Sequence, residues 1–221
     1  AEARTATLFN IESLKLFSDK LEVYPFESEK YGHTQFNRPG GMEHQANSFV
    51  GLYEYTLLIH ELVHHWFGNL VTCGSWQDIW FNEGITHFLT GYAIEELRPQ
   101  DNRFWREHRR RRLLSQPTGS VYVTDTTSVG RIFSGALSYH KAAAIMNQLR
   151  WQIGDEALFR GLKAMLTDPK ARFGYMTTPD VQKHLENAAG ISLADFFQTW
   201  IYGEGFPKYQ CSWSQQPSSN T

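Results

Sequence analysis

Residues 57–67 read Leu-Leu-Ile-His-Glu-Leu-Val-His-His-Trp-Phe and contain the pattern His60-Glu61-Leu62-Val63-His64. In a helix, residues four positions apart lie on one face, with their β-carbons about 5–6 Å apart. The imidazoles of His60 and His64 can therefore reach one metal ion at about 2.0–2.1 Å per bond. The flanking apolar residues predict a buried helix, where two imidazoles and a carboxylate without a partner would be costly. The stretch thus predicts a metal-binding helix rather than a helix with solvated histidines.

A second stretch, Trp80-Phe81-Asn82-Glu83-Gly84, supplies a third candidate ligand. Two imidazole nitrogens and the carboxylate of Glu83 leave a fourth metal position open, as catalytic zinc sites require. Glu61 lies beside His60 on the helix, so it can accept a proton from activated water without binding the metal. A structural zinc site is the alternative, but it would normally add a fourth protein ligand. We expect one Zn²⁺ ion, although Co²⁺ or Mn²⁺ can occupy the same ligands.

The composition is that of a folded protein. The chain has 221 residues, of which 41% are hydrophobic and 14% aromatic, and this excludes disorder as a global description. The net charge of −2 gives no reason to expect a nucleic-acid partner. No apolar run approaches the roughly 18 residues of a membrane span, so we expect no transmembrane segment.

Periodicity and turn signals predict an α+β fold that is mainly helical, with a small sheet near the N-terminus. The predicted helices cover residues 14–21, 53–70, 78–97, 103–114, 138–153, 155–168, 178–190 and 192–200, and the predicted strands cover residues 31–36, 42–50 and 121–123. No linker divides the chain, so one domain is expected. Cys73 and Cys211 are expected to be free, buried thiols, because nothing in the sequence brings them within disulfide distance.

Three stretches together resemble a known family. His-Glu-x-x-His is followed after eighteen residues by Glu83 in its Trp-Phe-Asn-Glu-Gly context. Upstream, Gly40-Gly41-Met42-Glu43 resembles a Gly-x-Met-Glu-Asn signature, and downstream Ser138-Tyr139-His140-Lys141 resembles a Tyr-x-Lys segment. In this order they resemble the gluzincin aminopeptidases, the family of aminopeptidase N and leukotriene hydrolase, from about residue 24 to residue 207.

The resemblance implies a domain organisation. It implies a thermolysin-like catalytic domain over residues 1–207, with residues 208–221 as a tail or the start of a following segment. Family members carry an N-terminal β-domain before this region. We therefore expect that this domain is absent from the 221 residues and that it completes the substrate cleft.

The resemblance also implies roles for particular residues. Glu43 would hold the α-ammonium group of the substrate, with Gly40, Gly41 and Met42 beside it, and Tyr139 would stabilise the oxyanion. His44 and Ala142 depart from the family pattern, which has Asn and Gly at these positions.

The expected function is that of a zinc aminopeptidase acting on peptides with a free N-terminus. A catalytically silent peptide-binding domain and an epoxide hydrolase are the alternatives.

Overall fold

The computed structural model describes residues 2–215, and helices dominate this range. The helices are α1 (Glu2–Lys20), α2 (Tyr55–Val63), α3 (Trp80–Leu97), α4 (Pro99–Leu114), α5 (Val129–Ile132), α6 (Ala142–Thr167), α7 (Thr178–Ala189) and α8 (Ala194–Phe197). The strands are β1 (Gly32–Gln35), β2 (Gly41–Met42), β3 (Asn47–Val50), β4 (Val71–Cys73) and β5 (Gly174–Met176). A 3₁₀ turn covers Trp76–Asp78, and π-helical turns cover Gly135–Lys141 and Gln198–Tyr202. Of the expected tail, residues 208–215 form no regular element, and residues 216–221 lie outside the described residues.

The predicted N-terminal sheet is present, with strand order β1-β3-β2. β1 runs parallel to β3, whereas β2 runs antiparallel to it. The extended segment predicted at residues 42–50 is broken in the middle, because Ala46 adopts a φ of 59° and turns the chain between β2 and β3. A second sheet, which the sequence did not predict, pairs β4 and β5 in parallel.

The core is centred on α2 and α3. Every residue of α3 from Trp80 to Ile94 is buried, as expected for a helix with neighbours on all sides. α1 packs against α2 and against the turn that follows it, where the rings of Phe17 and Trp66 lie 6.1 Å apart. The two chain segments that carry the candidate ligands are therefore held inside one hydrophobic core.

Helix α2 is shorter than the 53–70 range that the sequence predicts. It ends at Val63, and the following N–H groups of Asn69, Leu70 and Val71 bond to carbonyls five residues back. Gly68 adopts a φ of 142°, which a residue with a side chain rarely takes. The chain thus widens into a turn directly after His64.

Three further predictions need correction. Residues 121–123 form no strand; instead Tyr122 N–H donates to Ile201 O and Val123 N–H donates to Gln77 O. The helix predicted from Ser138 begins as a π-helical turn before α6. The predicted break at Gly154 is confirmed, because this residue is non-helical within α6, with a φ of 80°. Cys73 and Cys211 are free as expected, but Cys211 is exposed rather than buried.

Within residues 2–215, no helix combines the length and the apolar composition that crossing a membrane requires.

Candidate metal centre

Helices α2 and α3 bring three candidate ligands together. The Nε2 atoms of His60 and His64 are 3.1 Å apart, and Glu83 Oε2 lies 3.3 and 3.2 Å from them. One ligand atom from each of the three residues lies within 4.8 Å of the other two, and no other such group occurs among residues 2–215. The i, i+4 pair therefore meets its third partner across the packed interface of the two helices.

The turn after α2 fixes the orientation of the His64 ring. Its Nδ1 lies 3.0 Å from Phe67 O, and Thr86 Oγ1 approaches the same nitrogen at 3.3 Å. Nδ1–H donates to the carbonyl, so the lone pair of Nε2 is left for a metal. A Cβ at Gly68 would lie 3.2 Å from His64 Nδ1, so this position has little room for a side chain.

The charges at the cluster oppose the effect of burial. Burial alone would lower the pKa of His64, but Glu83, with smaller contributions from Glu43 and Glu61, outweighs burial and raises this pKa to about 10. Burial alone would raise the pKa of Glu83, but His64 holds it well below its usual range. The protein by itself therefore holds an imidazolium–carboxylate pair here. A divalent cation displaces that proton, because a ligating imidazole must be neutral.

The donor set fits zinc. Two imidazole nitrogens and one carboxylate oxygen are typical ligands of a three-residue zinc site. Glu83 Oε2 is buried, and among the described residues it forms no hydrogen bond of good geometry, although the His60 and His64 Nε2 atoms lie 3.3 and 3.2 Å from it. An acceptor of this kind is costly to bury unless a cation occupies the space that it faces.

Glu61 is buried next to the cluster. Its carboxylate lies directly against Gly41, where a side chain would collide with it. Burial, and to a smaller extent the nearby carboxylates, raise the pKa of Glu61 to about 8. A divalent charge beside it would lower this pKa again, so the group can exchange a proton near neutral pH.

A cavity of about 630 Å³ lies beside the cluster, and most of the residues that only the resemblance suggested line it. Its lining includes Gly41, Met42, Glu43, Glu83 and Tyr139. Gly40 is not among the lining residues and instead forms the turn before β2, with a φ of 81°.

Two of these residues are held by identifiable contacts, Glu43 through its backbone and Tyr139 through its ring. Asn69 Nδ2 donates to Glu43 O at 2.6 Å, which fixes the chain at the end of β2. The ring of Tyr139 stacks on His60 at 5.9 Å, and burial raises the pKa of its phenol well above the usual range. The phenol therefore stays protonated and can donate a hydrogen bond.

Two features of this region have no sign in the sequence, and a third, His87, is indicated there only by helical spacing. The exposed rings of Trp76 and Phe133 form one wall of the cavity, with ring centroids 5.9 Å apart. His87 Nε2 lies 3.0 Å from His140 Nδ1 and joins α3 to the turn that carries Tyr139. The Phe67 carbonyl was missed because backbone acceptors leave no signal in a sequence, whereas His87, four positions after Glu83, had a helical spacing that pointed to this face.

Comparisons with solved structures show the fold. The M1 zinc metallopeptidase from Deinococcus radiodurans superposes with a TM-score of 0.78 at 23% identity, covering 90% of this chain and 45% of that one. Yeast LTA4 hydrolase in complex with Bestatin superposes with a TM-score of 0.73 at 20% identity, covering 91% of this chain and 36% of that one.

Comparisons with curated sequences agree with the structural ones. Aminopeptidase N of Lactococcus lactis subsp. lactis is 29% identical over 160 residues, which is 68% of this chain and 19% of that protein. Probable aminopeptidase 1 of Saccharolobus solfataricus is 28% identical over 193 residues, or 81% of this chain and 24% of that protein. The chain thus spans about a fifth to a quarter of the length of these relatives.

The profile described as "Peptidase family M1 domain" matches residues 43–200, more than half of the chain. This match confirms the resemblance, and the chain belongs to peptidase family M1.

Proposed function

We propose that this chain is the zinc-binding catalytic part of a metallo-aminopeptidase, which hydrolyses the N-terminal bond of peptides. The observation that carries the proposal is the convergence of His60, His64 and Glu83 beside one cavity that Glu43 and Tyr139 also line. Zinc held by the three ligands would supply a Lewis acid that polarises the scissile carbonyl and makes water acidic. The names of the relatives, among them aminopeptidase N, support the same reaction class.

Glu61 is the proposed proton carrier. It is buried on α2 between the ligands His60 and His64. Its pKa of about 8 without a metal lies close enough to neutrality for reversible proton transfer. It takes a proton from the attacking water and passes it to the leaving amine.

Glu43 is the proposed binding group for the α-ammonium of the substrate. Its segment is fixed by Asn69 and by the pairing of β2 with β3, and it lines the cavity that holds Glu83. A carboxylate at this end places a chain terminus next to the metal, which favours removal of a single residue over internal cleavage. Gly41 and Met42 would contact the substrate beside it, and Gly40 would support the turn.

Tyr139 is the proposed oxyanion donor. Its phenol is protonated and lies beside the His60 ring on the cavity wall. A donor in this place stabilises negative charge that exists only in the transition state.

The finer fold assignment is part of the proposal. We infer that residues 1–207 form one thermolysin-like catalytic domain. Support comes from the single core that joins α1 to α8 and from the superposition on a two-domain M1 zinc metallopeptidase over 89% of this chain. Peptides with a free N-terminus are the proposed substrates.

The test uses a panel of aminoacyl-coumarin reporters and their N-acetylated counterparts. We expect turnover of the free-amine reporters only, loss of turnover with a chelator, and its return with one equivalent of zinc. Turnover of acetylated reporters at the same rate would contradict the role of Glu43. Stoichiometric zinc binding with background turnover on the whole panel would favour a silent peptide-binding domain, and turnover of an epoxide alone would favour the epoxide hydrolase.

A further inference from the structure

A second cavity, of about 670 Å³, lies between α3, α4 and α6 and shares no lining residue with the cavity at the metal centre. Its lining combines arginines with aromatic side chains. Neither the proposed peptidase reaction nor the sequence motifs give this cavity a role.

Arg109 lies half-buried in the wall of this cavity. Its Nη1 and Nη2 atoms donate to the amide oxygen of Asn147, at 2.9 and 2.5 Å, when that amide takes the orientation that its neighbours require. Within residues 2–215, Arg109 forms no ion pair with a carboxylate. Burial and then repulsion from Arg106 lower the pKa of Arg109 to about 10, so the group is still charged at neutral pH. The hydrogen bonds of this cation thus go to a neutral amide and not to a carboxylate.

Trp105 adds an unused donor beside this cation. Its Nε1–H is buried and has no acceptor in the described part of the chain. A Cβ at Gly91 would lie 2.5 Å from Trp105 Nε1 and 3.6 Å from Arg109 Nη1, so both donors meet above this glycine. A buried N–H without an acceptor is unfavourable, and an incoming anionic oxygen would satisfy it.

The carboxylates of the cavity are hydrogen-bonded to another arginine, and Glu95 offsets the effects of burial and of Arg106 on Arg109 only in part. Arg150 Nη1 donates to Glu95 at 3.0 Å, and its Nε and Nη2 atoms each donate to Asp155 at 2.7 Å. Arg150 with these two carboxylates amounts to one negative charge, so Arg106 and Arg109 leave the cavity with one positive charge in excess.

Two exposed aromatic side chains lie at the cavity. The side chains of Trp151 and Tyr209 line it while remaining 84% and 83% exposed. Exposed rings of this size beside a cationic cavity offer stacking surfaces for a planar group.

We propose that this cavity binds an organic anion, whose oxyanion head contacts Arg109 Nη1 and Trp105 Nε1 and whose planar body packs against Trp151 and Tyr209. Phosphate and carboxylate heads share this chemistry. The fork of a guanidinium suits both, and a charge-assisted bond from a desolvated arginine is stronger than a neutral one.

The test is titration calorimetry of the 221-residue chain with phenyl phosphate, benzoate and inorganic phosphate. We expect saturable binding of one phenyl phosphate per chain, tighter than inorganic phosphate by about tenfold because of the ring. The comparison of phenyl phosphate with benzoate identifies the preferred head.

Variants locate the site. Arg109→Gln should weaken phenyl phosphate binding by about 10- to 100-fold, which corresponds to the loss of one charged hydrogen bond. Trp105→Phe should weaken it by about 3- to 10-fold. Arg109→Lys should lose part of the affinity, because it keeps the charge and loses the fork. Arg160→Gln, which removes the same charge from an exposed position on α6, is the matched control and should change binding by less than about twofold.

Several outcomes would overturn the proposal. They are the absence of saturable binding of any probe, equal losses in Arg109→Gln and Arg160→Gln, and equal affinity for phenyl phosphate and inorganic phosphate. If Arg109→Gln does not fold, Arg109→Lys and Trp105→Phe decide the question, since each keeps most of the packing. The probes contain no peptide bond, so the result is independent of whether the peptidase function is correct.

Discussion

At the scale of single residues, the metal centre depends on how the second ring nitrogen of a ligand histidine is hydrogen-bonded. His64 has its Nδ1 committed to the Phe67 carbonyl, and this commitment aims its Nε2 at Glu83. Such a contact lowers the entropy that a ligand loses when it binds a metal, and it sets the tautomer. Ligand identity therefore comes from the sequence, whereas ligand orientation comes from the turn after α2.

Glu61→Gln tests the proton carrier. The amide cannot accept and release a proton, so we expect kcat to fall by about 10²- to 10⁴-fold while the chain still binds one equivalent of zinc. Reporter turnover and elemental analysis measure the two quantities, with the exposed Glu156→Gln as the control. A near-normal rate in Glu61→Gln would remove this residue from the mechanism.

Tyr139→Phe tests the oxyanion donor. The phenol would bond an oxygen whose charge develops only in the transition state, so kcat should fall by about 10²-fold while KM changes little. Tyr175→Phe, an exposed phenol at 73%, is the matched control. A rise in KM at constant kcat would make Tyr139 a ground-state binding residue instead.

At the scale of elements, the two ends of α7 are set by its cap residues, Thr177 and Gly190. Asp180 Oδ2 accepts hydrogen bonds from the N–H of Thr177 at 3.0 Å and from its hydroxyl at 2.6 Å. Gly190 ends the helix with a φ of 69°. These are local interactions, which is why the predicted start at Thr178 and end near Gly190 are confirmed.

The capping contact makes the stability of α7 depend on pH. The bonds from Thr177 lower the pKa of Asp180 below its unfolded value of about 3.9. The contribution is therefore complete above that value and is lost as the pH falls through the folded pKa. Asp180→Asn should cost about 0.5–1 kcal/mol at pH 7 and less at pH 3 in urea unfolding. An equal cost at both values would contradict the assignment, and Asp19→Asn at the end of α1 is the control.

At the scale of the whole molecule, one core fixes the distance between the candidate ligands. α2 and α3 are separated by β4 and the 3₁₀ turn, yet both are buried in the same cluster, with α1 packed against α2. The rigidity of a close-packed interior then holds the cluster at a spacing suited to a metal.

Phe17→Ala tests the contribution of α1. Phe17 is fully buried against Trp66, so its truncation should lower the free energy of unfolding by about 3–5 kcal/mol. Ile11→Ala on the same helix, where the side chain is 60% exposed, should change it by less than about 0.5 kcal/mol. Denaturant titration gives both values, and similar losses in the two variants would mean that α1 does not depend on this contact.

Local sequence determined several features of this protein. The four-residue spacing of His60 and His64 and the bounds of α7 each depend on a few neighbouring residues, and these predictions agree with the structure. The order of the motifs was also sufficient to identify the family, because three short patterns in one sequence are more specific than any one of them.

Tertiary structure decided the rest. α2 ends at Val63 rather than near Leu70. The turn that follows carries the Phe67 carbonyl that contacts the His64 ring, and it leads into β4. Helical periodicity in the sequence does not indicate such a turn. The pairing of β4 with β5, and the approach of Arg109 and Trp105 to Gly91, join residues distant in the chain. Contacts of this kind depend on how whole elements pack, and packing depends on the shape of every side chain in the core rather than on any local pattern.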